Sequence, residues 1–97
     1  GHYREALRTK PRFALALNNL GAALGQQGDL DGAAARFRAA LEIAPEDAMG
    51  HYNLGMVLVL QGKRDEAIPE LREALRLRPD DPDAREQLAR ALSARNR

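Results

Sequence analysis

The side chains able to do chemistry in this sequence are few and badly placed for catalysis. Outside the tyrosines, the side-chain hydroxyls are those of Thr9 and Ser93. Neither has a histidine within one helical turn to act as base, so a serine-type nucleophile has nothing to activate it. Cysteine is absent, which removes thiolate nucleophiles, thiolate metal sites and disulfides, and leaves the compartment open with the cytoplasm as working expectation. The two histidines, His2 and His51, lie far apart; His51 falls on the core face of its helix and reads as a satisfied imidazole rather than a metal ligand. Aspartates and glutamates fall at helix caps or on solvated faces, as in the i to i+4 pair Glu86 and Arg90, and form no acid/base pair. No catalysis, cofactor or metal is expected. What remains is recognition chemistry. Asn18, Asn19 and Asn53 each offer one acceptor and two donors to a peptide main chain, and Met49 and Met56 offer soft, adaptable apolar contact.

These side chains must be positioned by a small scaffold, because 97 residues make about one domain with a thin core. The net charge is +1, from 15 basic and 14 acidic residues interspersed along the chain, so no field exists to draw in nucleic acid. The longest apolar run, Gly55 to Leu60, is six residues, far short of the roughly 20 that span a bilayer. No nucleic-acid partner and no membrane insertion are expected. Arginine outnumbers lysine 13 to 2, a bias associated with GC-rich bacterial genomes.

A shift of 34 aligns the chain with itself. Laying residues 14–47 over 48–81 matches 14 of 34 positions, against two or three expected from composition at roughly 7% per position. The matches include Asn19 with Asn53, Leu20 with Leu54, Gly21 with Gly55, Leu24 with Leu58, Gly28 with Gly62, Asp31 with Asp65, Ala40 with Ala74 and Pro45 with Pro79. Tyr3, Arg4, Ala6, Leu7 and Pro11 fall on Phe37, Arg38, Ala40, Leu41 and Pro45. The expected organisation is therefore one domain: residues 1–13 as the second helix of an incomplete repeat, 14–47 and 48–81 as complete repeats, and 82–97 as a terminal solvating helix.

Each repeat reads as two helices joined by a glycine turn. Asp47 and Asp81 precede apolar-periodic runs and are placed to cap them, with Pro82 in the first turn. Asp31 and Asp65 are expected to cap the second helices. Gly28 and Gly62 end the first helices, where a left-handed residue is needed, and Pro45 and Pro79 stop the second. Pro69 is expected within the first turn after Asp65, where few intrahelical donors are required and it is tolerated.

The pattern Leu-Gly-x-x-Leu at Leu20 and Leu54, followed by Ala33 or Ala67, Phe37 or Leu71, Ala40 or Ala74 and Pro45 or Pro79, resembles the tetratricopeptide repeat. The resemblance covers the whole chain. Leu17 and His51 stand where that family commonly has Trp, and Leu24 and Leu58 where it commonly has Tyr, which points to an aliphatic core. The resemblance implies an all-α fold: a right-handed solenoid of antiparallel helix-turn-helix pairs, first helices on the concave side, and a role in binding protein rather than in catalysis. Some family members grip an acidic chaperone C-terminus with two Lys, one Arg and two Asn. In this register those positions are Asn18, Ala22, Asn53, Asp83 and Gln87, so only Asn53 agrees, and Asp83 would repel the carboxylate.

At 100° per residue, His51, Leu54, Gly55 and Leu58 share a core face. Opposite lie Met49, Tyr52, Asn53, Met56 and Leu60, and one repeat earlier Leu15, Asn18, Asn19, Ala22 and Gln26. That stripe carries no charge, whereas the second helices show Arg36, Arg38, Glu42, Glu66, Glu70, Arg72, Glu73 and Arg76. Contiguous exposed apolar surface marks an interaction site. The candidate peptide-binding residues are Leu15, Asn18, Asn19, Ala22, Met49, Tyr52, Asn53, Met56, Leu60 and Gln87. The competing reading is that Met49, Met56 and Leu60 pack against a neighbouring turn of the solenoid or another copy of the chain. Three or four buried side chains at about 1.5–3 kcal/mol each, less the cost of ordering a peptide, imply micromolar affinity. The N-terminal end, where Tyr3, Ala6 and Leu7 lack a first-helix partner within the sequence, is expected to fray or self-associate into a homo-oligomer. At the other end, Ala84, Leu88, Ala91 and Leu92 form an inward stripe bounded by charge, as a terminal helix requires.

Overall fold

The computed structural model describes residues 2–95, with side chains from Lys10 to Ala94. It contains five helices: α1 (His2–Gln26), α2 (Leu30–Ile43), α3 (Ala48–Leu60), α4 (Arg64–Leu77) and α5 (Pro82–Arg95). Among the described residues there is no strand, so the all-α expectation holds. The tightest pairings are α1 with α2 and α3 with α4, followed by α2 with α3 and α4 with α5. Contacts also join α1 to α3 and α3 to α5, while α2 and α4 do not touch. The stack therefore closes on its α1, α3 and α5 side and splays on the other.

The turns inside the two hairpins share one backbone geometry despite different residues. Gly28 and Gly62 have φ of 88° and 80°, a conformation glycine adopts without the clash a Cβ would bring. That reversal lets the N–H of Asp29 donate to Leu24 O at 2.9 Å and the N–H of Lys63 donate to Leu58 O at 2.8 Å, covering carbonyls the ended helix leaves open. The caps differ from expectation at the second helices. Asp31 lies in the first turn of α2, and the cap is Asp29, whose side chain accepts from the Gly32 N–H at 2.9 Å. Asp65 likewise lies inside α4, and position 63 is a lysine with no oxygen to offer. The glycine reversal sets the helix start two residues earlier than the apolar pattern suggests. Asp47 and Asp81 do cap, accepting from Met49 N–H at 3.2 Å and from Asp83 N–H at 3.0 Å. Pro69 is the sixth residue of α4 rather than a first-turn residue; it points to solvent, so it costs one intrahelical bond and no packing.

The boundary expected at residue 13 is not a break in the chain path. α1 runs without interruption through Pro11. The later repeats restart at Asp47 and Asp81, but the equivalent position here is Phe13, which has no oxygen to cap a new helix, so nothing in the local chemistry stops the old one. The expected bare apolar side at Tyr3, Ala6 and Leu7 lies outside the described side chains.

Two apolar clusters hold the stack. Ala33, Ala34, Phe37, Leu54, Val57, Leu58 and Ala67 form the first, and Ile68, Leu71 and Ala91 the second, with Leu88 and Leu92 packed against it. The repeat register carries the helix contacts as well: a Cβ at Gly21 would sit 2.7 Å from the Phe37 ring, and one at Gly55 would sit 2.9 Å from Leu71. Each glycine lets the helix partner enter where any side chain would block it.

Candidate functional site

α1 from Ala14 onward and α3 contain no Asp, Glu, Lys or Arg. On α3 the core-facing Leu54 and Leu58 are 2% and 1% exposed, yet Met49 and Leu60 on the other side remain 46% and 65% exposed. No neighbouring turn of the described stack covers either side chain. Met56 and Asn53 are half-buried. A cleft of about 360 Å³ lies between the two helices, lined among others by Ala22, Tyr52, Asn53, Met56 and Leu60.

The remaining candidates are distributed differently. Met49 lines a separate depression of about 520 Å³ with the α4–α5 turn. Leu15 and Asn19 are exposed on α1, and Gln87 is half-buried on α5. Asn18 is committed inside the molecule, donating from Nδ2 to Asp47 Oδ2 at 3.2 Å, with its Oδ1 buried. Tyr52 is also partly spent, since its ring packs on the cluster of Ile68, Leu71 and Ala91. Sequence reasoning missed Phe37, Leu30, Val57 and Gly25 as lining. The available signal was Gly25, which falls on Val59 one repeat later; the missing side chain opens the cleft, where a Cβ would meet only Ala33 at 3.8 Å.

The structure also forms a pair that the sequence reading did not find. His51 Nδ1 lies 2.8 Å from Glu70 Oε2, and Nε2 lies 2.8 Å from the Pro45 carbonyl. Both partners accept, so only the doubly protonated imidazolium can donate to both. Burial opposes that charge most strongly, but the hydrogen bonds from the ring to Glu70 and Pro45, with the charges of Glu70 and Glu73, together hold the pKa above its usual 6.5. With both nitrogens engaged, the ring has no lone pair for a base or metal. Among the described residues no cluster of His, Cys, Asp and Glu could hold a metal ion.

A pH dependence follows from this contact. The folded pKa is raised, so the stabilisation is fully present below about 6.5 and is lost as pH rises through the folded value. Urea denaturation at pH 5.5 and 8.5 should show wild type losing more stability than His51→Gln over that interval. Equal losses in the two proteins would contradict the assignment of the charge to His51.

Among the described residues no helix is long and apolar enough to cross a membrane. Comparison with known proteins gives three findings. The family model of the tetratricopeptide repeat matches residues 12–80. None of the curated proteins matches the chain. Among solved structures, the fold is similar to the second tetratricopeptide-repeat domain of Spaghetti (RPAP3) bound to the HSP90 peptide SRMEEVD, at TM-score 0.89 and 18% identity, over 95% of this chain and 84% of that one. It is also similar to an O-GlcNAc transferase mutant from Thermobaculum terrenum, at TM-score 0.79 and 40% identity over 91% of this chain. A third similarity is to the APC/C hetero-tetramer Cut9-Hcn1, at TM-score 0.82 and 28% identity over 86% of this chain. The chain spans only 17% and 16% of the last two proteins.

Proposed function

Because the chain belongs to the tetratricopeptide-repeat family, whose fold serves as a protein-interaction module, we propose that its α1, α3 and α5 face receives a short segment of a partner protein. The observation that supports this most directly is the cleft bearing Ala22, Tyr52, Asn53, Met56 and Leu60, which no charged side chain lines and at which Leu60 remains exposed. Apolar burial supplies the affinity. The exposed or half-buried amides of Asn19 and Asn53 suit main-chain hydrogen bonds, which fix register without demanding a particular side chain.

The neighbour that holds SRMEEVD shares the fold at 18% identity, which supports peptide binding by such a stack and says nothing about which peptide. The residues that would clamp an acidic terminus are replaced by Asn18, Ala22, Asp83 and Gln87. The transferase similarity covers a small part of that enzyme, and our reading of this segment is binding rather than catalysis.

Selection of a peptide library on the wild-type chain, followed by titration of enriched peptides against Asn53→Ala/Met56→Glu, tests the site. The double variant should bind at least about tenfold more weakly, a loss of about 1.4 kcal/mol, with unchanged helical circular dichroism. Equal affinities would remove the assignment.

A second reading, an assembly element, is favoured by one observation. Leu20 is 44% exposed while its register equivalent Leu54 is 2% exposed, because α2 covers Leu54 and no described helix covers Leu20 in the same way. Sedimentation velocity should then show concentration-dependent association that Leu20→Glu abolishes. A strict monomer would overturn this second reading.

A further inference from the structure

We infer that the segment received by this face is basic at both ends and apolar between them, lying along α3 from the depression at the α4–α5 turn to the one at the α1–α2 turn. The inference rests on the groove reading above and adds the chemical class of the partner. It starts from the ends of the apolar strip on α3. Met49, at one end, shares a depression with Asp80, Asp81 and Asp83. Leu60, at the other, shares one of about 460 Å³ with Asp29 and Asp31. Lys63 and Arg78 are the basic residues lining these depressions, so both ends carry net negative charge although the whole chain is +1. Between those ends α3 presents no Asp, Glu, Lys or Arg.

The Tyr52 phenol lies within reach of the same carboxylates. Its pKa is held above the usual 10, first by burial and then by the charges of Asp83, Asp81 and Glu86. Some of these carboxylates also have structural partners: Asp29 and Asp81 cap helices, and Asp31 accepts from the Gln61 amide at 2.6 Å. Those bonds do not remove their charge, and Asp80 and Asp83 remain exposed.

Geometry limits the length of the occupant. Met49 and Leu60 are eleven residues apart on one helix, or about 16 Å at 1.5 Å per residue. An extended chain covers about 20 Å in six steps and points alternate side chains to one face. A seven-residue segment with basic residues at its first and last positions and apolar residues at the third and fifth therefore matches both ends at once. Carboxylates at those outer positions would face like charge.

The test uses three fluorescein-labelled, end-blocked peptides of one pattern, Lys-Ser-Leu-Ser-Leu-Ser-Lys and its versions with Gln or Glu at both ends, titrated by anisotropy. At low ionic strength the Lys peptide should bind at least about tenfold tighter than the Glu peptide, with Gln between, and the gap should narrow as salt shortens the Debye length. Asp80→Asn/Asp83→Asn, which keeps the capping Asp81, should reduce the gap to about threefold or less, while Met56→Glu should abolish the apolar contribution and weaken all three. If the three peptides bind alike and all are lost in Met56→Glu, the charge inference is overturned and the groove stands. If Met56→Glu leaves binding of the Lys peptide unchanged, both are overturned. Absence of binding by the Lys peptide overturns the charge inference and leaves the groove to the library selection.

Discussion

Leu71→Ala should lower the free energy of unfolding by about 2–5 kcal/mol, the range for emptying a closed core site. Leu71 is fully buried and belongs to the cluster formed with Ile68 and Ala91. It also presses on the backbone of α3 at Gly55. Its side chain thus touches three helices, and its removal leaves a void that none of them can close without breaking another contact. For a domain of this size, several kilocalories per mole is a large share of total stability. Urea denaturation followed by circular dichroism reads the loss directly. The control is Leu60→Ala, at an exposed position, which should change stability by no more than about 0.5 kcal/mol. A loss below about 1 kcal/mol for Leu71→Ala would mean that the α3, α4 and α5 junction is not packed as described.

Gly55→Val should be destabilising by about 1–3 kcal/mol even though valine is the better helix former. Its Cβ would lie 2.9 Å from both Cδ2 and Cγ of Leu71. Cγ is not a free end that can swing aside, and Leu71 has no solvent to move into. The two sites must therefore be coupled. Gly55→Ala combined with Leu71→Ala should lose less than the two single losses added together, because the new methyl group enters the space that the leucine vacates. Additive losses would show that the glycine and the leucine do not share one contact.

Much of this packing was legible because it repeats. Gly21 with Phe37 and Gly55 with Leu71 are one contact written twice at a spacing of 34. A periodic pattern of that kind can be read without coordinates, since each repeat must bury its apolar face on the next. The turns at Gly28 and Gly62, the caps at Asp47 and Asp81, and the inward stripe of α5 were legible for the same local reason. The candidate strip on α3 was visible as an uncharged helix face, and the exposure of Met49 and Leu60 agrees with it.

The rest depended on where other elements landed. Nothing in the spacing of His51 and Glu70 foretells a hydrogen bond across nineteen residues, because the hairpin angle decides it. Asn18 reads as an offered amide until the α2–α3 turn brings Asp47 to it. Tyr52 stands on the apolar strip by periodicity, yet the second core cluster takes part of its ring. Pro11 reads as a stop, but a stop needs a new cap to follow, and Phe13 cannot supply one. The sequence by itself determined the repeat, its helices and the uncharged layer, since those follow from local propensity and periodic burial. Only the tertiary structure decided which members of that layer remain exposed, because exposure depends on neighbours distant in the chain.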